Sequence, residues 1–589
     1  MARLLPVAVA LVTALTFTPA LWTGFVWDDE AMFLQNPSYR GLGWTELAWM
    51  FTTVHMTHYT PLSWLTLGLD HVLWGMRPSG YHATNVILHA VTAVLVSLCA
   101  ARLLGMAMAG APGPRTATVR EGAALAGLLF AVHPLRVESV VWVTERRDVL
   151  CGLFYVAAVL AYLRTNSPDA ARPARPPALH WCLLLFSLAL LSKSMAVTLP
   201  LVLLILDVYP LRRLGGNVGW WGGAARRVWW EKAPFLLLSA AVGIVQIAAL
   251  FASGNAATVV RPGALGRIAI AVFGLALYLL KTVLPVRLSP LYALDPERSF
   301  LAWPFLASGA FVVGMTVLAV AVRRRWPALL PVWLSYVVIL LPVLGTANTF
   351  QIAADRYSYL AALGWAVLAG LLLAGRGRSD PDAAPHDALQ ERIAKSGLAL
   401  AAIAGLIILT VLQIGVWRDA ETLWTHALEV DPASPVAHYN LGVIRMGQGL
   451  LGDAEEHFTE TVTFRPRHVE GHNNRGLALL WMGRPREALT PLREAVRRKP
   501  DFAYAHNNLG LAYLRVGDRA SAESQFRKAL AIAPDLTSAH ANLGALLLST
   551  GRAAEALAHF DRAAALDPSL AGLAEARAEA QAAMAAGRK

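Results

Sequence analysis

The stretch "HNNLGLAYLRVGDRASAESQFRKALAIAPD", residues 506–535, holds a glycine at 510, an alanine at 522, a phenylalanine at 526 and a proline at 534. All four positions return every 34 residues: Gly442, Gly476, Gly510 and Gly544; Ala454, Ala488, Ala522 and Ala556; Pro432, Pro466, Pro500, Pro534 and Pro568. Phe458, Leu492, Phe526 and Phe560 keep a large apolar group at one register. Two helices that cross closely need small residues at the crossing and a bulky residue in the seam. Proline cannot continue a helix and so closes each pair.

This is the period and small-residue pattern of tetratricopeptide repeats, an α-solenoid in which each helix pair buries its apolar face against its neighbours. Four whole repeats fill residues 433–570, a half-repeat "WRDAETLWTHALEVDP" occupies 417–432, and a polar helix over 571–589 caps the end. Each first helix carries "H-x-N-x-G", which sets Asn440, Asn474, Asn508 and Asn542 at one helical position. A carboxamide offers both donor and acceptor, so this row is a candidate binding surface for an extended peptide, with satisfaction of helix-end groups as the plainer use. The accompanying histidines read as packing residues.

Upstream the chain changes character. The whole is 589 residues, 56% hydrophobic and 15% charged, with mean hydropathy +0.48, too apolar for a soluble protein. From Arg418 onward basic and acidic residues balance at 20 each, so the net charge of +12 belongs to residues 1–417. A basic excess confined to a hydrophobic half is a topology signal, and a neutral soluble half gives nucleic acid no basic stripe to bind. Spans of about 20 apolar residues fit 3–25, 82–104, 121–137, 149–163, 233–253, 265–285, 302–322, 327–345, 357–375 and 397–416, while 180–209 breaks at "SKS". The fold class is therefore all-α, with a polytopic helical membrane domain over 1–416 followed by the solenoid. Cys99, Cys151 and Cys182 lie in apolar runs and make no disulfide or metal framework. No nucleotide-binding fingerprint has the strand-turn-helix context it needs.

Arginines at 102, 115 and 120, at 164, 172 and 175, at 212, 213, 226 and 227, and at 323–325 mark four cytoplasmic turns. The alternate loops, 26–80, 133–148 and 346–356, are then external. Residues 211–232 and 323–325 share a side only if 265–285, which contains Arg267 and Lys281, is re-entrant or interfacial; the segment 397–416 then ends outside. The external side collects Asp28, Asp29, Glu30, His133, Arg136, Glu138, Glu145, Arg146, Arg147, Asp148, Lys193, Asp355 and Arg356. Carboxylates and cations on one face suit a reaction in which a base deprotonates a hydroxyl while cations hold a phosphate leaving group; solvated loop charge is the bland alternative.

"FVWDDEAMFLQNP" (25–37), "HYTPLSWLTLGLDHVLWGMRPSGYHATNVILHA" (58–90), "FAVHPLRVESVVWVTERRDVL" (130–150), "LLSKSMAVTLPLVLLILDVYP" (190–210) and "AADRYSYLAALG" (353–364), followed by periodic repeats, resemble the transmembrane and tetratricopeptide-repeat (TMTC-like) O-mannosyltransferase family. The likeness covers nearly the whole chain. It implies a glycosyltransferase of the GT-C fold, a multi-spanning enzyme that takes one mannose-like sugar from a polyprenyl-phosphate donor on the outer face and inverts the anomeric carbon. It also implies roles. Asp28 or Asp29 is the general base toward an acceptor Ser or Thr, and Glu138 is a second carboxylate that orients acceptor or metal. Lys193, Arg356 and Arg136 are donor-phosphate cations. Tyr59, Pro61, His82, Asn85 and His89 match family positions and are expected to be structural. A divalent cation stays open as cofactor.

Two departures bear on donor identity: Ser194 stands where an acid commonly follows the lysine, and "TERRDVL" replaces a more usual Gly-Arg-Ala-Asp run. Compact loops and high Arg, Ala and Gly content point to a bacterial inner-membrane protein with site and repeats on the periplasmic side. Partners are then the lipid-borne donor, an exported acceptor protein bound by the repeats, and the bilayer. Two other readings remain open, a membrane-anchored repeat scaffold for envelope proteins and transfer of sugar to a lipid or glycan.

Overall fold

The computed structural model describes residues 4–56, 58–108, 115–166, 176–252, 263–292, 301–344, 353–375 and 385–586. Among them there is helix and turn but no β-strand, and the chain divides into two compact units, residues 1–423 and 424–589.

The first unit begins with α1 (Leu4–Phe17), which runs on as a 3₁₀ turn to Trp22. The loop after it contains α2 (Trp44–Thr52) and α3 (Pro61–Trp74). Then come α4 (Pro78–Ala107), α5 (Arg115–Ala131), a short α6 (Val137–Val141) and α7 (Arg146–Thr165). α8 (Pro176–Ser192) and α9 (Leu199–Val208) are separated at Lys193 by a 3₁₀ turn, where the break in the apolar run was expected. α10 (Gly223–Ala252), α11 (Ala264–Val283), α12 (Trp303–Ala321), α13 (Leu329–Leu340), α14 (Ser358–Ala361), α15 (Leu363–Gly375) and α16 (Pro385–Val416) complete it. Seven helices among the described residues are long and apolar enough to cross a membrane, and two bent pairs, 116–141 and 355–374, raise this to nine.

α4 is the central helix, packed against α1, α5 and α7, while α5 also packs on α15. The α5–α15 crossing is so close that a Cβ on Gly122 would lie 2.5 Å from the Gly370 carbonyl oxygen, so glycine is required by contact.

The structure bears on three of the expected segments. Residues 265–285, expected to be re-entrant or interfacial, form α11, one unbroken apolar helix whose length and composition are also those of a span. Its charges sit at its ends: Arg267 is in the first turn, and Lys281 in the last turn donates to the carbonyls of Val286 and Arg287 at 2.7 and 3.1 Å. The expected span 327–345 contains the shorter α13, and of the expected external loop 346–356 only residues 353–356 lie within the described residues.

The second unit continues from the half-repeat helix α17 (Ala420–Val430), whose start belongs to the first unit. Helix pairs follow: α18 (Pro435–Gly447) with α19 (Leu451–Phe464), α20 (Val469–Trp481) with α21 (Pro485–Arg498), α22 (Ala503–Arg515) with α23 (Arg519–Ile532), α24 (Thr537–Ser549) with α25 (Ala553–Leu566), and the capping helix α26 (Leu573–Ala586). The periodic residues do what their spacing predicts. A Cβ on Gly442, Gly510 or Gly544 would come within 2.7 Å of the ring of Phe458, Phe526 or Phe560, and one on Gly476 within 2.4 Å of Leu492. Each first-helix histidine ties its helix to the preceding proline turn: Nε2 of His438, His472, His506 and His540 lies 2.9–3.0 Å from the carbonyl of Pro432, Pro466, Pro500 and Pro534.

Candidate active site

The segment 133–148 is the hub of the membrane unit. Pro134 cannot extend α5, so the chain bends and passes through α6 and two 3₁₀ turns before α7 begins. Expected as an external loop, it is packed inside the protein: Arg136, Glu145 and Arg146 are 0% exposed and Glu138 is 2% exposed. The burial is tolerable because partners are supplied. Arg146 forms a 2.6 Å ion pair with Asp70, bonds Asn85 Oδ1 and donates to the Tyr81 carbonyl at 2.9 Å. Asn85 in turn donates to the Val140 carbonyl at 2.9 Å. His89 bridges Tyr359 Oη at 2.8 Å and the Ala131 carbonyl at 3.0 Å. Tyr59 donates to the Phe51 carbonyl at 3.1 Å, Pro61 starts α3, and His82 lies 3.0 Å from Thr23 Oγ1.

Asp28 and Asp29 part company here. Trp27 takes φ of +57°, a strained left-handed turn for a bulky residue, and stacks on Trp142 at 4.5 Å. Asp29, just beyond, turns inward. It is 0% exposed and accepts from Val26 N at 3.1 Å, Thr144 N at 2.9 Å and Thr144 Oγ1 at 2.6 Å. Burial lifts its pKa to about 7 against the opposing pull of those three bonds. Asp28 is half-buried, and its carboxylate has no hydrogen bond or ion pair to any described residue. Burial raises its pKa too, while the nearby Arg147 and Arg356 guanidinium groups pull it down.

Around Asp28 the charges interlock. Glu145 accepts from Arg147 at 2.6 Å and from Lys193 Nζ at 2.9 Å, and lies 3.4 Å from Arg356 Nε. Lys193 also pairs with Asp148 at 2.6 Å. Arg356 binds Glu138 twice, through its backbone N–H at 2.8 Å and through its guanidinium, which also lies over the rings of Trp142 and Tyr357. The structure thus gathers Asp28, Glu138, Lys193 and Arg356 into one charge cluster, the pit at the end of α7 that Asp148 opens. Arg136 is set apart from that network: it donates to Ser358 Oγ at 2.9 Å and packs against the rings of Phe130 and Tyr359, both within 5.5 Å.

Sequence reasoning did not single out His58. It sits in the loop after α2, half-buried, where the Arg147 guanidinium and then burial hold its imidazole down at about 3, so the ring is neutral. The doublet of histidines in "VHMTHYTP" was the only signal, and nothing local tied it to Arg147. Among the described residues no three His, Cys, Asp or Glu side chains converge to hold a metal ion, and Glu138, Glu145 and Asp148 are each neutralised by a cation.

The asparagine row is bonded repeat to repeat. Asn508 donates to Asn473 Oδ1 at 2.9 Å, Asn542 to Asn507 Oδ1 at 3.0 Å and Asn474 to Tyr439 Oη at 3.3 Å, while Asn440 bonds back to the Val436 carbonyl at 2.8 Å. Asn508 is buried and the other three are half-buried.

The fold and the pit define a class: a polytopic helical membrane protein with a buried carboxylate–cation centre and a tetratricopeptide solenoid. The tetratricopeptide-repeat family profile matches residues 409–468, 473–537 and 511–571. Proteins similar to the chain include TMTC protein O-mannosyl-transferases. The chain is 25% identical to "Protein O-mannosyl-transferase TMTC4" of Mus musculus over 75% of this chain and 64% of that protein. With the Homo sapiens TMTC4 the identity is 27% over 71% and 60%, and with Homo sapiens TMTC3 it is 30% over 34% and 21%. The chain therefore spans less than two thirds of the length of these relatives. Among solved structures, a thermophilic tetratricopeptide-repeat protein of Thermus thermophilus matches 30% of this chain and 95% of its own at 29% identity, with a TM-score of 0.25.

Proposed function

We propose that this chain is an integral-membrane glycosyltransferase that moves a mannose-like sugar from a polyprenyl-phosphate donor to Ser or Thr of exported proteins recruited by its repeats. The observation that carries the reading is Asp28, a half-buried carboxylate without a partner among the described residues, set beside Arg147 and Arg356. The names of the relatives supply the reaction class.

In this reading Asp28 accepts the proton of the acceptor hydroxyl as its oxygen forms a bond to the sugar's anomeric carbon. The bond from that carbon to the phosphate oxygen breaks on the opposite face, which inverts the centre. Charge gathers on the leaving phosphate, where Lys193, Arg147 and Arg356 stabilise it. These cations already hold Glu145, Asp148 and Glu138, so they are positioned before the donor arrives. Asp29 anchors the Asp28 loop to Thr144 and is a positioning residue. His58, neutral and beside Arg147, is placed to accept from or donate to the acceptor hydroxyl.

The Arg418 carbonyl accepts from Gly24 N at 3.0 Å, so within the first unit the end of α16 lies on the face that carries Asp28. By the positive-inside rule that face is external, the periplasm of a bacterial inner membrane. Acceptor captured by repeats in the same chain meets the site as an intramolecular partner. A carboxamide has two N–H groups and a carbonyl, so the half-buried Asn440, Asn474 and Asn542 keep polar capacity for a passing peptide, whereas Asn508 is a strut.

The test is transfer by the purified full chain from radiolabelled polyprenyl-phosphate mannose or glucose to protein extracts, with Asp28→Asn beside it. Label on protein that vanishes with Asp28→Asn supports the reading. Label on lipid or glycan alone points to a different acceptor, and no transfer with extract proteins still captured leaves the scaffold.

A further inference from the structure

An apolar groove of about 930 Å³, counted out to its open side, runs between α4, α7, α9, α13 and α15. Three helix ends meet at its mouth. Ala107 is the last residue of α4, Tyr209 and Pro210 follow α9, and Ala328 precedes α13, and all four line the groove. Arg212 lies just beyond Pro210, and Arg323, Arg324 and Arg325 come just before Ala328; all four arginines are exposed.

This mouth is remote from the pit. Tyr162, which accepts from Arg213 at 2.7 Å, stands about 21 Å along α7 from Asp148 at 1.5 Å per residue. The acids at this end already have partners. Asp207 pairs with Lys232 at 2.7 Å and Arg213 at 3.0 Å, and Glu231 with Arg213 at 2.5 Å. Among the described residues Arg212, Arg323, Arg324 and Arg325 have no carboxylate partner. Trp221 and Trp230, 82% and 69% exposed, stand on the same segment, where indole rings mark the headgroup level of a bilayer.

We propose that this groove holds an acyl chain of an anionic phospholipid whose phosphate is gripped by Arg212 and the Arg323–Arg325 turn. A hydrocarbon slot suits a chain, and unopposed guanidinium groups at its mouth select a negative headgroup. The donor's own tail is a poor fit, because its phosphate must reach Asp28 at the other end of α7. The site stands whether or not the chain transfers a sugar.

Native mass spectrometry of the full chain in mild detergent tests this, with phosphatidylglycerol and phosphatidylcholine of the same acyl composition titrated in. Phosphatidylglycerol is expected to be retained preferentially. Arg212→Gln with Arg323→Gln, Arg324→Gln and Arg325→Gln should weaken that retention by about fivefold for each arginine that touches the headgroup, and should weaken phosphatidylcholine, whose phosphate is offset by its own choline, by less. Ser335→Trp, which fills the groove, should reduce retention of both lipids. Should that variant not fold, the surface arginine variants still decide. Equal retention of the two lipids by the unaltered protein overturns the proposal, as does a preference that survives loss of the arginines. Displacement by soluble glycerol phosphate at the same concentration would make it a free-phosphate site, and tighter retention of a polyprenyl phosphate would give the groove to the donor; either result overturns it.

Discussion

Thr144 closes on Asp29 from both its backbone and its hydroxyl, at 2.9 and 2.6 Å, while the adjacent Asp28 is left without a partner among the described residues. Two identical residues, neighbours in sequence, are thereby given different work. One is a buried anchor and the other a half-buried carboxylate beside two guanidinium groups.

Asp28→Asn is expected to lower the turnover of sugar transfer by about 10²–10⁴-fold, the usual worth of a general base, and to leave the unfolding temperature unchanged. Asp29→Asn should do the reverse in emphasis. Its amide cannot accept from Val26 N and Thr144 together, so the unfolding temperature falls and transfer falls with it. Initial rates and thermal unfolding of the two variants check this, and equal behaviour would remove the division of labour.

Asp29 also gives stability a pH dependence. Its carboxyl titrates at about 7 in the folded protein against an ordinary 3.8, with burial the main cause. Between those values the native state holds a proton that the unfolded chain has lost, so stability falls as pH rises through that window and levels off above it. Unfolding temperatures measured from pH 4 to pH 8 should show this slope, and Asp29→Asn should flatten it.

Lys193 is held by Glu145 and Asp148 at 2.9 and 2.6 Å. Lys193→Met leaves two buried carboxylates facing each other, and removing one partner of a buried ion network costs about 3–5 kcal/mol. A second change, Asp148→Asn, should restore part of the loss because it removes the repulsion. Unfolding temperatures of the two single variants and the double variant form the cycle, and additivity would show that Lys193 bears no load there.

How much of this was legible before the structure differs between the two halves. The repeats were, because a 34-residue period puts the same glycine against the same ring each time, and a periodic contact leaves a periodic trace. The acid pair was legible as a pair only. Which of the two turns inward depends on the left-handed Trp27 and on Thr144, more than a hundred residues away, and neither leaves a local mark. The burial of 133–148 was missed for the same reason: its charges look like a solvated loop until Asp70, Asn85 and Lys193 arrive from other helices. Arg136 matched a donor-phosphate position by sequence, yet it is packed between two rings and fully buried.

Gly510→Ala places a methyl group 2.7 Å from the Phe526 ring, closer than real contacts allow. Overpacking of this kind costs about 1–3 kcal/mol. The repeats of the full chain should become measurably more susceptible to limited proteolysis, and Phe526→Leu in the same chain should recover part of the resistance.

The first and last repeats each hold a histidine pair. His438 Nδ1 lies 3.1 Å from His457 Nδ1, and His540 Nδ1 lies 2.9 Å from His559 Nδ1. His438 and His540 spend their Nε2–H on the carbonyls of Pro432 and Pro534, so their Nδ1 is a lone pair and His457 and His559 must be the donors. A further proton would set two N–H groups against each other. Burial, and then the facing histidine, hold His457 and His559 below the usual 6.5. Below that pH the unfolded chain takes protons that the native repeats refuse, so stability is full above 6.5 and is lost as pH falls through the folded pKa values. The third repeat supplies the control, because Gln525 meets His506 Nδ1 at 2.7 Å with a side chain that does not titrate. Replacing His457 and His559 with Gln should keep both contacts and flatten the acid limb of a pH-dependent proteolysis profile of the repeats, and an unchanged limb would place the acid sensitivity elsewhere.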